Sequence, residues 1–216
     1  MYFVDSCNGL LCMRDVYNPF TCLYLELPRL INHPVEGEHI AFGFHPSTKQ
    51  YKVVQIVYRR QLIRGVGLFD VTTSTLIQSQ VHILTIGDPA WRNIGMLPYD
   101  LTRPTSKALV NGRLHWLSKP NKNTTASLLA SFDLATEQFQ EMHKPDCCVL
   151  DRCFHDLMVV RGCLSAGAYH DNEQLEIWVM KEYSVKNSWI KEFTIGTYLP
   201  RTLQQNDLLH FNNARA

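Results

Sequence analysis

The chain has 216 residues, enough for one sizeable core or for a row of small repeating units. It is 45% hydrophobic, 11% aromatic and 19% charged, with a net charge of +1, which excludes both a disordered chain and the basic footprint of a nucleic-acid binder. No apolar run approaches the roughly 18 residues of a membrane-spanning helix, and Met1–Asn8 lacks the basic, apolar start of a secretion signal. The expected setting is the cytoplasm or nucleus, with no membrane and no nucleic-acid partner. Seven cysteines (Cys7, Cys12, Cys22, Cys147, Cys148, Cys153 and Cys163) form an odd set, expected as reduced thiols in such a compartment. Cys147, Cys148, Cys153 and His155 cluster, yet no C-x2-C pair exists to nucleate a zinc site. The expectation is buried cysteine acting as a small hydrophobe, without metal or cofactor.

Along the chain the recurring unit is a short β-prone run, a glycine-containing turn and a second run of alternating polarity. Asn8-Gly9-Leu10 opens the first unit, since Asn-Gly tolerates positive φ at both positions of a tight hairpin. Tyr17-Asn18-Pro19-Phe20-Thr21 and Leu25-Glu26-Leu27-Pro28 follow. The second unit lacks Asn-Gly but holds Phe42-Gly43-Phe44-His45-Pro46, Tyr51–Ile56 and Leu68-Phe69-Asp70. The third carries Asn111-Gly112, His115-Trp116-Leu117 and Phe132-Asp133 through Phe139; the fourth carries Arg161-Gly162, Glu176–Met180 and Trp189–Phe193. Phe69-Asp70 and Phe132-Asp133 are expected at matching places, where a strand ends and a turn begins. Long polar connections are expected around Pro28–His39, Gly87–Lys107 and Lys119–Ala126, and a loose or helical tail over 201–216.

These patterns predict an all-β fold of about fourteen strands in three or four sets, spaced near fifty residues apart. Four-stranded repeats at about 40 to 50 residues point to a β-propeller. A β-sandwich would explain the alternation but not the recurring grammar.

Ser6–Cys12, Tyr17–Thr21, Leu27-Pro28, Gly43–Pro46, Tyr51–Val54 and Trp91-Arg92 together resemble the F-box-associated domain of plant F-box proteins, a kelch-like propeller. Val110–Trp116 with Phe132–Leu134 and Phe139 is similar to that family's central blade, and Leu175–Lys181 with Ser188–Lys191 to its next. The resemblance covers about residues 3–200. It implies a non-catalytic, protein-binding module that recruits the target of a cullin-type ubiquitin ligase. The Skp-type adaptor and cullin are implied partners only if an F-box precedes Met1, and no helical F-box pattern precedes Ser6. The expectation is therefore an incomplete propeller over 1–200, an open arc of marginal stability with exposed strand edges.

Chemistry has little support in the motifs. Cys163-Leu164-Ser165-Ala166-Gly167 lacks the first glycine of G-x-S-x-G and sits in a strand-like run, so Ser165 reads as a packed strand residue. His45 reads as a turn residue, His115 as packed in a blade, and His155-Asp156 as a structural pair with no nucleophile beside it. The alternatives to a ligase module are a sugar- or small-ligand-binding propeller, a hydrolase on the same scaffold, or a non-functional truncated paralogue. Trp91, Trp116, Trp178 and Trp189 are expected as core fillers. Because rigid scaffolds present function on loops, the candidate partner contacts are Arg59, Arg60, Arg64, Trp91, Arg92, Tyr99, His170 and Asp171.

Overall fold

The computed structural model describes residues 5–13, 15–30, 37–66, 71–98, 104–118, 128–145, 155–169 and 174–196; the stretches 59–66 and 71–78 are described by backbone alone. Among these residues the fold is all-β, with sixteen strands where the sequence pattern suggests fourteen. They form four antiparallel sheets, each of four strands in chain order. The first holds β1 (Asp5–Cys7), β2 (Leu10–Cys12), β3 (Asp15–Asn18) and β4 (Leu23–Glu26). The second holds β5 (Gly37–His45), β6 (Gln50–Val66), β7 (Val71–Thr85) and β8 (Arg92–Met96). The third holds β9 (Pro104–Val110), β10 (Arg113–Ser118), β11 (Leu128–Asp133) and β12 (Phe139–Met142). The fourth holds β13 (His155–Val160), β14 (Cys163–Tyr169), β15 (Gln174–Met180) and β16 (Trp189–Gly196). Consecutive four-stranded sheets stacked in this way make a partial propeller. The span Gly87–Lys107 is thus no long connection: it contains β8 and the start of β9.

Turn chemistry sets the repeat. Asn8 and Gly9, Asn111 and Gly112, and Arg161 and Gly162 all have φ between 50° and 79°, the two-residue hairpin geometry that follows the twist of the strands. Each joins the first two strands of its sheet. A second, five-residue turn recurs in three sheets. Asn18 Oδ1 accepts from the Phe20 and Thr21 amides (3.0 and 3.3 Å), and Asp133 Oδ1 from those of Ala135 and Thr136 (2.7 and 3.1 Å). His45 Nδ1 accepts from the Thr48 amide at 3.2 Å. In each case the fifth residue (Cys22, Glu137 or Lys49) is left-handed, with φ of 55° to 58°. The first residue's side chain caps amides that the reversal exposes. This corrects the expected match of Asp70 with Asp133. Asp70 lies outside the described residues, between β6 and β7, whereas Asp133 ends the third strand of its sheet; the second sheet has a turn of the same form after its first strand, β5, capped by His45.

Three cores hold the sheets in series. Cys7, Cys12, Val16 and Leu27 pack with Phe42, Val53 and Leu84 between the first and second sheets. Val54, Ile56, Val81 and Ile83 pack with Leu114, Trp116, Ala130 and Phe132 between the second and third. Ala108, Val110, Leu117 and Leu129 pack with Leu157, Leu164, Met180 and Trp189 between the third and fourth. Strand alternation explains the division. On β10, Leu114 and Trp116 face the second sheet while His115 and Leu117 face the fourth, so an inner sheet buries both of its faces.

Tryptophans tie neighbouring sheets. Trp91, just before the fourth strand of the second sheet, donates its indole N–H to the Pro28 carbonyl, just after the fourth strand of the first (2.5 Å). Trp189, at the start of β16, repeats this with the His143 carbonyl just after β12 (2.9 Å). Trp116 and Trp189 are buried, and Trp91 and Trp178 half-buried against the cores.

Candidate functional site

The first strands of the four sheets converge, and one lysine links three of them. Lys107 on β9 places Nζ 3.3 Å from Asp5 Oδ2 on β1 and donates to the Ile40 carbonyl on β5 at 2.5 Å. The same Asp5 oxygen accepts from the Phe42 amide (3.1 Å), and the other accepts from the Ser6 amide (2.9 Å). A partly desolvated charge pair with further hydrogen bonds fixes geometry more than it adds stability. Beside it opens a cavity of ≈ 390 Å³, whose lining includes Asp5, Asn8, Lys107, Leu114, Met158 and Val159, so that the first, third and fourth sheets all contribute to it. Burial pushes the Cys7 thiol up and the Cys12 thiol up to about 11, with Asp5 adding to the rise in both. Thiols held protonated in this way are poor nucleophiles and poor metal ligands.

Other reactive residue types are engaged structurally. Ser165 is fully buried in β14, and its hydroxyl donates to the Cys163 carbonyl at 3.1 Å. His115 is fully buried between the third and fourth sheets, with Nδ1 3.1 Å from the Ala108 carbonyl and Nε2 2.8 Å from the Tyr183 hydroxyl. A carbonyl only accepts, so Nδ1 carries the proton and Nε2 accepts from Tyr183. Burial pushes His115 down to about 4 and Tyr183 up to about 12. Among the described residues no group of three or more His, Cys, Asp or Glu is placed to hold a metal. Cys147, Cys148 and Cys153 lie outside that description, as does the His155 side chain.

The candidate partner contacts separate into distinct places. Arg59, Arg60 and Arg64 lie on strand β6, not on a loop as expected: there β6 and β7 continue as a two-stranded ribbon beyond the sheet. Arg92 opens β8 and forms a two-point pair with Glu137 of the third sheet, Nη2–Oε1 2.6 Å and Nη1–Oε2 3.1 Å. Lys52, buried in β6, donates to the same Glu137 at 2.7 Å. Burial alone would raise the Glu137 carboxyl, but the hydrogen bonds and charges of Arg92 and Lys52 outweigh it and hold it low. This cluster clips the second sheet to the third. Trp91 and Arg92 thus each join one sheet to another. Arg92 pairs in register with Ile83, five positions from Gln78 where the ribbon begins, or about 17 Å along the strand. Tyr99, His170 and Asp171 lie outside the described residues. Asp5, Lys52, Lys107, Glu137 and Tyr183 carry no motif, and only the register of sheets far apart in sequence brings them together.

Comparison with known proteins gives a consistent result. A family model described as the F-box associated beta propeller domain matches residues 1–213. The F-box protein At3g07870 of Arabidopsis thaliana is 44% identical over 225 residues, covering 94% of this chain and 53% of the relative. The F-box/kelch-repeat protein At3g23880 is 26% identical (89% of this chain, 52% of the relative) and the F-box protein CPR1 33% identical (88% and 51%), both from the same plant. The chain spans about half the length of these relatives.

Proposed function

The chain belongs to the F-box-associated β-propeller family, and from that premise we propose that it is a non-catalytic module that holds a target protein for a cullin-type ubiquitin ligase. The observation that carries this reading is the family match over residues 1–213, together with relatives that are themselves F-box proteins. The geometry supports it. Ionisable and nucleophilic residue types at the convergence of the sheets are used to hold strands together, which suits a rigid scaffold better than a catalyst. On this reading the Skp-type adaptor and cullin join through an F-box elsewhere in the natural protein, and the module works in the cytoplasm or nucleus.

The test is affinity purification of the natural full-length protein from its own tissue, with and without this domain. Adaptor and cullin are expected in both preparations, and one further protein at comparable abundance only when the domain is present. A preparation without adaptor or cullin would remove the ligase role; the same proteins with and without the domain would remove the target-holding role.

The cavity beside Asp5 and Lys107 is the observation that favours a second reading, a small-ligand or sugar-binding propeller. A glycan array probed with the purified chain tests it: saturable binding lost on Met158→Trp supports this reading, and silence opposes it.

A further inference from the structure

The β6–β7 ribbon runs on beyond the four-stranded part of the second sheet. Among the described residues of the second sheet, β5 accompanies β6 as far as Tyr58, and β8 with the Leu97 amide that follows it accompanies β7 as far as Ser79 (3.3 Å). Beyond them, cross-strand pairs continue from Arg59↔Gln78 to Val66↔Val71 with no shift of register, a ribbon about 27 Å long. Among the described residues no other strand lies beside it. Its root is firm, since Lys52–Tyr58 are all buried.

A long, regular edge of this kind is a template for another strand. Proteins blunt such edges with proline, a bulge, a short strand or charged side chains, and of these only charge, as arginine, is present here. Positions 59–66 and 71–78 contain no proline, and the pairing has no bulge. A two-stranded ribbon is marginal in water, so a third strand would stabilise it by supplying a second ladder. The charge is one-sided: these two stretches hold Arg59, Arg60 and Arg64 and no Asp or Glu. Arginine matches carboxylates through two parallel hydrogen bonds, which gives such a ribbon a preference for acidic partners.

We propose that the β6–β7 ribbon captures an extended, acidic segment of another protein as an added β-strand, with backbone pairing giving affinity and the three arginines selecting acidic side chains. This rests on the reading of the chain as a protein-binding module. The probe is a labelled peptide of alternating Glu and Val, titrated against the purified chain by fluorescence anisotropy. Three comparators accompany it: a Lys-Val peptide, a Glu-Pro peptide of equal charge that lacks half the backbone donors, and a single-stranded oligonucleotide. The Glu-Val peptide is expected to bind and the comparators not. Arg60→Glu with Arg64→Glu is expected to weaken it by about tenfold or more with the melting temperature unchanged. Replacing residues 60–77 by Asn-Gly is expected to abolish binding in a chain that still melts cooperatively.

No binding of the Glu-Val peptide, equal binding of the Glu-Pro peptide, equal binding of the oligonucleotide, or binding that survives the shortened ribbon would each overturn the proposal. The two readings fail separately. A full-length protein that still binds its target after both arginine reversals sinks the ribbon assignment alone. One that binds no target with the wild-type domain sinks the module reading.

Discussion

His115 shows how a residue suited to acid–base chemistry becomes a fastener when both ring nitrogens are committed and water is excluded. Its proton affinity falls from 6.5 to about 4 on folding, so between those values the unfolded chain binds the proton that the folded chain refuses. Stability therefore falls as pH drops through that window, by roughly 3 kcal/mol in all. His39, lowered by burial, acts in the same direction. Urea unfolding at pH 7, 5.5 and 4.5 checks this, and a His115→Gln chain is expected to be less stable at pH 7 with a flatter pH profile. Tyr183→Phe leaves the Nε2 acceptor unmet at a cost of about 1–3 kcal/mol. Gly112 supplies a second residue-scale test. A Cβ there would lie 2.3 Å from Cδ2 of His45, a ring already held by the Thr48 amide, whereas one at Gly162 meets nothing within 4 Å. Both have positive φ, so Gly162→Ala is expected to cost about 1 kcal/mol of backbone strain. Gly112→Ala is expected to cost clearly more, measured as the difference between two denaturant midpoints. The turns at Asn8-Gly9 and Asn111-Gly112 are legible because their φ requirement is local and only a few residue types meet it. The roles of Lys107 and Tyr183 are not, because their partners lie in other sheets.

Between elements, fastening concentrates at equivalent places. Trp91 and Trp189 both secure the fourth strand of a sheet to the chain leaving the fourth strand of the sheet before it. Trp91 read from sequence alone suits either a core filler or an interface anchor; in the structure it is half-buried against the first core and donates to the Pro28 carbonyl. The Glu137 clip distinguishes its two cations. Lys52 has a side chain 5% exposed and Arg92 one 51% exposed, each within 2.7 Å of the same carboxylate. Glu137→Gln leaves the buried ammonium without a countercharge and is expected to cost about 2–4 kcal/mol. Arg92→Ala removes a half-exposed partner and is expected to cost no more than about 1 kcal/mol. Thermal melts of the two variants check the order. Strands β5 through β7 are readable from their apolar runs, but the length of the ribbon is not. Arg59, Arg60 and Arg64 break the apolar pattern and look like the end of a strand, while pairing with Thr- and Ser-rich β7 carries β6 on to Val66.

At the scale of the molecule, sixteen strands among the described residues fall into four sheets that pack in series through three cores. This arrangement was legible because each unit repeats its own turns at similar spacing, so four weak local signals reinforce one another. On β4, Leu23, Tyr24 and Leu25 are all exposed. What the repeat does not encode is the partner; on the proposal made above, recognition resides in a departure from the repeat, the extended ribbon. The most direct test of target holding is ubiquitin transfer in a reconstituted ligase built from the natural full-length protein, its adaptor and its cullin, with the protein recovered through this domain as substrate. Ubiquitin chains are expected on that protein, and are expected to be lost when this domain is removed or exchanged for that of a relative. Equal ubiquitination without the domain would contradict the target-holding role.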